Sequence, residues 1–437
     1  MLRSILYLFS GNSISALLNL LASFLILKYL TASQYGSYAV AVDFVNMLTL
    51  IGGSFFVNAL QRYSALYTAS RDRGKLAGLL KLSLGYGLVV STLVALGLLI
   101  FGEAVAVNIL RGEEYALYLR LYALAVPFIT LASYLASYMK GKGMFGRVGM
   151  FDLTLPTVLR VGVLGAGLPT FRGHGSVVAT VSLVVKFLSN FLLNVLASWK
   201  SLVSDLMAEA EYAFGEWIRY SIFIWGRYAL SVLSSNAKNV LVGALQGAAQ
   251  GGVFKVAFLL LSPVYMLETS IVSVLFTRIT GDIAKGRDVI PEVRRFAFYI
   301  SSLELALGTL MVLLGPPILR FFGKGYEAAS SLLATVLLAY VVNSASSTHK
   351  VFLLSKGRSD RIFIIHAVKA TIALLGGYLL IRLFGTKGGV FAFLAEATAG
   401  TLLAYYFFGR FTRRAPLDLK IILSLAAAVA TAVFIGL

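Results

Sequence analysis

Apolar residues come in long runs separated by short polar stretches, and those runs set the elements this chain predicts. A helix that crosses a membrane needs about 20 apolar residues. Thirteen stretches meet that need, near 5–28, 37–60, 78–101, 116–139, 150–170, 176–198, 218–244, 253–276, 295–316, 327–348, 362–384, 389–409 and 420–437. They consume most of the chain and leave no room for a soluble domain. The first run is interrupted by Gly11 and Asn12 and lacks a small-residue cleavage site, so it reads as a retained helix, not a signal peptide.

Composition sharpens this picture. Hydrophobic residues make up 59% of the 437 and charged residues 13%; soluble domains run to about half and a quarter. A soluble globule and a disordered chain are both excluded. Charge is lopsided, with 38 Lys and Arg against 19 Asp and Glu, a formal +19. Sorting the 38 by position explains most of them: 23 fall at the N-terminus or in loops after even-numbered runs and at the run edges beside them, 7 in the opposite loops and their edges, 8 farther inside the runs. Cytoplasmic loops carry the excess of Lys and Arg, which puts the N-terminus in the cytoplasm of a plasma-membrane protein. Cysteine is absent and the three histidines are far apart, so disulfides, thiolate chemistry and a metal centre are not expected.

The loop at 61–77 returns at 277–295. Ser33-Gln34-Tyr35-Gly36-Ser37-Tyr38 aligns with Ala249-Gln250-Gly251-Gly252-Val253-Phe254 at offset 216, and Gly112-Glu113-Glu114-Tyr115 with Gly323-Lys324-Gly325-Tyr326 at offset 211. Lys142-Gly143 and Arg147 align with Lys356-Gly357 and Arg361 at offset 214. Six spans per repeat is an even number, so both halves enter the membrane in the same sense, a parallel repeat with the substrate expected between the halves. The expected architecture is an all-α polytopic membrane protein: two parallel six-helix lobes around a central cavity plus a C-terminal helix. Its parts are an N-lobe at 1–198, a cytoplasmic interfacial helix at 199–217, a C-lobe at 218–409, and a basic linker with a thirteenth span at 410–437. The linker helix rests on the helical spacing of Leu202, Leu206, Met207, Ala210, Phe214 and Trp217.

These repeat landmarks also carry a family resemblance. Leu27-Lys28-Tyr29-Leu30-Thr31-Ala32-Ser33-Gln34-Tyr35-Gly36-Ser37-Tyr38, Arg62-Tyr63, Gly323-Lys324-Gly325-Tyr326, Lys356-Gly357-Arg358 and Gly388-Gly389-Val390-Phe391-Ala392 resemble landmarks of the polysaccharide (O-antigen-type) flippases. These belong to the multidrug/oligosaccharidyl-lipid/polysaccharide exporter superfamily. The resemblance covers about residues 5–409. It implies a cavity lined by the first, second, seventh and eighth spans, and export of lipid-linked sugars.

Ionisable groups inside a bilayer are costly and point to function by default. Lys81, Arg120, Lys238 and Lys255 lie near span ends, where long side chains snorkel to the interface. Arg160, Lys186, Arg227 and Lys369 lie eight to ten residues in, about 12–15 Å deep, and need a wet cavity or a partner. Five acids are also intramembrane: Asp43, Asp152, Glu268, Glu304 and Glu396. Asp152 reads as a cap or loop residue. Asp43 with Lys255 is a candidate outer gate, and Asp43, Glu268 and Glu304 are candidates for proton or sodium coupling. Arg227, Ser231, Ser234 and Lys238 share one helix face, and Asn12, Ser15, Asn19 and Ser23 share another. The bland account of such stripes is hydrogen bonding between helices, which covers the serines but not Arg227. A polar cavity, cationic on the C-lobe side, is the sharper expectation. Lys186, Asn190 and Asn194 form a third stripe.

An anionic substrate fits eight intramembrane cations against five acids. A diphosphate between a polyprenyl lipid and a sugar carries that charge, and Lys and Arg suit phosphate oxygens. The expected function is therefore flipping of a lipid-linked oligosaccharide from the cytoplasmic to the outer leaflet by alternating access. Glycan polymerases or transferases are the expected protein partners. No cofactor is expected. Gly141-Lys142-Gly143-Met144-Phe145-Gly146 matches a dinucleotide fingerprint but follows no strand, no Walker A sequence occurs, and the basic loops are too short and dispersed for nucleic acid. The alternatives are a multidrug or organic-cation antiporter, which needs cavity acids, a peptidoglycan-precursor flippase, and a membrane sugar polymerase, which needs a larger outer loop than any here.

Overall fold

A computed structural model describes residues 2–322, 325–416 and 419–436, with side-chain detail from Ser10 onward except at Arg172, Phe223, Thr277, Ala284 and the last two described positions. Gly323, Lys324 and the side chains of Arg3 and Arg172 therefore lie outside the described residues. About 90% of the chain is helical, and no strand occurs among the described residues. The helices are α1 (Leu2–Tyr29), α2 (Ala32–Gly53), α3 (Val57–Ser70), α4 (Arg73–Asn108), α5 (Ala116–Ala123), α6 (Val126–Gly141), α7 (Phe145–Arg147), α8 (Leu155–Thr170) and α9 (Gly175–Leu206). They continue as α10 (Phe214–Gln246), α11 (Ala248–Ala284), α12 (Ile290–Phe322), α13 (Ser330–Ser344), α14 (Ser347–Ser355), α15 (Ser359–Thr371), α16 (Gly377–Phe384), α17 (Thr386–Thr412) and α18 (Leu419–Gly436).

Each of the thirteen apolar runs is helical. Ten described helical segments are long and apolar enough to cross a membrane singly. The fourth run is a bent pair, α5 and α6 meeting at 44°. The seventh, α10, is long enough but carries too many polar residues for that set, and the thirteenth is a shorter apolar helix, Leu419–Phe434. Leu88, Val89, Leu93, Leu96, Ile100 and Phe101 stand exposed on α4, as expected of a face that meets lipid. Pro127 falls in the first turn of α6, where the missing N–H costs nothing; Pro156 follows the π-helical stretch at Val148–Thr154 inside one continuous helix, Phe145–Thr170, and Pro263 lies inside α11. The loop expected at 61–77 is mostly helix, α3, which ends at a left-handed Arg71 before Asp72 caps α4 through the Lys75 amide at 3.0 Å.

The chain divides into two compact units, residues 1–30 with 37–232, and 31–36 with 233–437. The division falls inside α10, not at residue 217, and six residues at the start of α2 side with the second unit. The expected interfacial helix at 199–217 is not formed. Residues 199–206 are the last turns of α9, residues 207–213 are not helical, and α10 starts at Phe214. The reason is that this stretch is anchored inward. Asp205 is buried, pairs with Lys142 at 2.8 Å and accepts from the Tyr138 hydroxyl at 2.6 Å. Fully buried Trp217 donates to the Tyr67 hydroxyl at 2.9 Å within an apolar cluster of Leu60, Tyr63, Leu79 and Tyr138.

Repeat-related features recur inside each unit. A short 3-10 turn at Glu113–Tyr115 leads into α5 and then α6; another at Glu327–Ala329 leads into α13 and then α14. The turns after α6 and α14 match bond for bond. Gly143 and Gly357 sit at φ 75° and 74°. Their amides donate to Lys140 and Leu354, both at 3.0 Å, and the next amides donate to Met139 and Leu353, both at 2.9 Å. This is the helix-ending motif that wants glycine. At the start of α2 and α11, a methyl on Gly36 would lie 1.7 Å from the Ala248 carbonyl oxygen, and one on Gly252 2.2 Å from that of Ala32. Each glycine lets the other helix's backbone pass. Residues 413–416, after α17, are tied down by Arg414 to Asp288 at 2.6 Å, by Arg294 to the Ala415 carbonyl, and by His349 Nε2 to the Pro416 carbonyl at 3.0 Å. The Arg414 guanidinium holds the Asp288 carboxyl below its usual range.

Candidate functional site

In the first unit, α1, α3, α6, α8, α9 and the π-turn at Val148–Thr154 line an open cavity of about 290 Å³. Its polar lining is Ser15, Ser133, Ser137, Lys140, Asp152, Thr157, Lys186 and Asn190. Helical spacing explains the set: Ser133, Ser137 and Lys140 share one face of α6, and Lys186, Asn190 and Asn194 one face of α9. Asp152 accepts from Asn194 Nδ2 at 2.9 Å, which also donates to Asn190 at 2.8 Å. Ser15 meets Thr157 at 3.2 Å.

Behind this wall sits Arg160, 8% exposed. Its guanidinium donates to Asn19 Oδ1 at 3.0 Å and to the Tyr38 hydroxyl at 3.3 Å, and its Nε has no partner. Lys186 reaches the same Asn19 oxygen at 3.5 Å. Among the described residues neither Arg160, Lys186 nor Lys140 has a carboxylate within ion-pair distance. Asp152 is the acid in the lining. Three cations thus stand at or beside one small polar cavity with one carboxylate, and neutral amide and hydroxyl groups hold Arg160 and Lys186. Such an arrangement leaves guanidinium and ammonium protons available to an anion.

The second unit treats its deep cations differently. Lys238 is 3% exposed; its ammonium pairs with Glu396 at 2.6 Å and also donates to the Ser234 carbonyl. Lys369 reaches the other Glu396 oxygen at 3.4 Å, and Ser234 donates to that oxygen at 2.7 Å. Asn343 Oδ1 accepts from Lys350 at 3.1 Å and Lys369 at 3.4 Å. Glu268 and Glu304 are buried nearby in an apolar crevice.

The structure therefore redistributes the expected site. The stripe of Arg227, Ser231, Ser234 and Lys238 does not act as one surface: Ser234 and Lys238 are consumed by Glu396, while Arg227 and Ser231 are half-buried with no hydrogen bond or ion pair among the described residues. Lys238 does not snorkel, because its partner lies inside the protein. Lys238 and Lys369 of the second unit share the Glu396 carboxylate while Lys350 there is held by Asn343; in the first unit the cations at the cavity, Lys140, Lys186 and Arg160, have no carboxylate within ion-pair distance among the described residues, so the cationic side is not confined to the C-lobe as expected. Asn12 is exposed and joins no cluster, whereas Asn19 bridges two cations. Asp43 is buried on α2 near Tyr38 and Tyr122, and Lys255 is half-buried on α11.

Two cavity residues were missed. Lys140 reads as a topology-marking loop charge and Asp152 as a cap. The legible signal for Lys140 was Ser133 and Ser137 on the same helix face one and two turns back. For Asp152 it was the polar face of α9, which needed an acid opposite.

The comparisons with known proteins agree with this architecture. The family model described as polysaccharide biosynthesis protein matches residues 1–280. The chain is 22% identical over 396 residues to the succinoglycan biosynthesis transport protein ExoT of Rhizobium meliloti (strain 1021), spanning 86% of this chain and 74% of that one. An inward-facing multidrug resistance MATE family transporter of the MOP superfamily matches with TM-score 0.77 at 14% identity, over 98% of this chain and 99% of its own. The lipid II flippase MurJ, inward closed, matches with TM-score 0.73 at 14% identity, over 99% and 98%. The relatives are transporters and flippases, not enzymes. With the family match running well beyond half its length, this multi-pass, all-α membrane protein belongs to the polysaccharide biosynthesis protein family.

Proposed function

We propose that the protein flips an anionic lipid-linked oligosaccharide, a polyprenyl-diphosphate sugar, from the cytoplasmic to the outer leaflet, with its own N-terminus in the cytoplasm. It serves enzymes that polymerise or transfer the glycan. One observation carries the reading: the polar cavity of the first unit, where Lys140 and Lys186 in the wall, with Arg160 behind it, outnumber Asp152. Its 290 Å³ is at the small end of ligand pockets, room for the diphosphate and about one sugar while the lipid tail stays in the bilayer. Serine, threonine and asparagine groups in the wall suit sugar hydroxyls. Arg227, half-buried and without a partner among the described residues, is a further candidate for the substrate path. An organic cation would meet a repulsive field in this cavity, which disfavours the antiporter reading. A peptidoglycan-precursor lipid also carries a diphosphate and is tested alongside.

The test is flipping by the purified protein in liposomes, offered a polyprenyl-diphosphate oligosaccharide or a peptidoglycan-precursor lipid. The first is expected to be translocated. A hydrogen bond to a charged group is worth about 1.5–3 kcal/mol, so Lys186→Ala or Lys140→Ala is expected to weaken headgroup binding about tenfold or more. Wild-type flipping by the double variant would remove this cavity from the substrate path. Transport of the precursor lipid alone would move the protein to that branch.

A further inference from the structure

Glu268 on α11 and Glu304 on α12 are 4% and 2% exposed. They interact directly and line one crevice with Val264, Leu267, Ile271, Ile300, Leu303 and Leu307. One oxygen of Glu268 and both oxygens of Glu304 lack a hydrogen-bond partner. Neither carboxyl has a cation within ion-pair distance among the described residues. The contrast is Glu396, a few helices away in the same unit, which takes two lysines and a serine. A buried carboxylate without such partners is expensive, and two side by side repel. They cannot both be ionised here.

We infer that Glu268 and Glu304 form a proton-binding site that holds at least one proton in this conformation and exchanges it as the transporter cycles. A proton is the ligand the crevice can take. The four carboxylate oxygens and the Ser344 and Ser347 hydroxyls face the crevice, but between its aliphatic walls there is no room for even a water-sized ligand such as a sodium ion, whereas a proton needs none. Loading adds H⁺ from water to a carboxylate; unloading returns it.

The other ionisable groups facing the pair are Tyr265 on α11, Tyr340 on α13, Lys350 on α14 and Lys369 on α15. Lys369 is already paired with Glu396, but Lys350 holds only Asn343. Loss of the proton leaves an anion for which Lys350 is the nearest cation not already in an ion pair. Moving Lys350 toward it releases Asn343, which also holds Lys369, so the proton is linked to the Lys369–Glu396–Lys238 chain. Access has a local cause as well. Pro263 cannot donate to the Leu259 carbonyl, which instead accepts from the Ser262 hydroxyl at 2.7 Å. α11 is thus weakened five residues before Glu268.

Proton binding stands apart from the glycan's identity; its use in transport rests on the proposed function. Infrared spectroscopy of the purified full-length protein tests the first part without substrate. The expected result is a protonated-carboxyl C=O band at neutral pH that fades as pH rises and loses intensity in both Glu268→Gln and Glu304→Gln. No such band in the wild type, or a band unchanged in both folded variants, overturns the site. Loss of the band on adding sodium at fixed pH assigns a metal ion instead. In liposomes, an imposed pH gradient is expected to change the flipping rate of wild type, and of neither variant. A gradient response retained in both variants overturns the role in transport while leaving the flippase reading intact.

Discussion

At the scale of single residues, two chemically similar lysine settings have opposite consequences. Lys238 and Glu396 are both buried and paired at 2.6 Å, so the pair's worth lies in what remains when one half goes. Glu396→Gln leaves two lysines facing no carboxylate, one of them 3% exposed. Breaking a buried pair from one side costs about 3–5 kcal/mol, and unfolding in detergent is expected to report a loss of that order. Lys238→Met is expected to cost less, because Glu396 keeps Lys369 and Ser234; an equal or larger loss would contradict this ranking. Lys186 and Arg160 sit in polar surroundings held by one asparagine. Asn19→Ala is therefore expected to disturb headgroup binding, read as reduced flipping by folded protein, with a smaller loss of stability than Glu396→Gln because Tyr38 still holds Arg160. An unchanged flipping rate would mean that the two cations need no such bridge.

At the scale of elements, the repeat makes a paired prediction. Gly143 and Gly357 both occupy the left-handed region with nothing near an added methyl. Replacing either by alanine therefore costs only backbone strain, about 1–2 kcal/mol, and the two losses are expected to match. Gly36→Ala is different in kind, since its methyl would overlap the Ala248 carbonyl. It is expected to destabilise more than either turn variant in the same melting assay, and a smaller effect would show that α2 and α11 part easily. These positions also show what a sequence yields. Lys142-Gly143 and Lys356-Gly357 were legible because a helix stop is local chemistry. The α3 helix in place of a loop was not, because its buried Tyr63 and Tyr67 pack on α4 and α6 and carry no apolar run. The inward anchoring of 205–217 was hidden for the same reason: the Lys142–Asp205 pair joins residues 63 apart.

At the scale of the whole molecule, thirteen helical runs were readable because lipid imposes length and apolarity on every span, whereas charge pairing was not. Glu396 lies 158 residues from Lys238, and nothing in either neighbourhood announces the other. The +19 charge accordingly separates into three groups: loop cations expected to set orientation, the deep Lys238 and Lys369 that share Glu396 in the second unit, and the cations Lys140, Lys186 and Arg160 without carboxylate partners among the described residues of the first. Only the first group depends on which side of the membrane each loop faces, and it makes a prediction that no helix packing can mimic. Because the chain has no cysteine, one introduced cysteine is a unique label. Ser70→Cys and Ser359→Cys lie in exposed positions that follow even-numbered spans; Glu114→Cys and Lys387→Cys are exposed in the opposite loops. In intact cells a membrane-impermeant thiol reagent is expected to reach positions 114 and 387 and to miss 70 and 359 until the membrane is opened. The inverse pattern would reverse the orientation, and with it the direction of the proposed flipping. Labelling at one of each pair from the same side would instead mean that a run between them, the bent α5–α6 pair or the polar α10, does not cross.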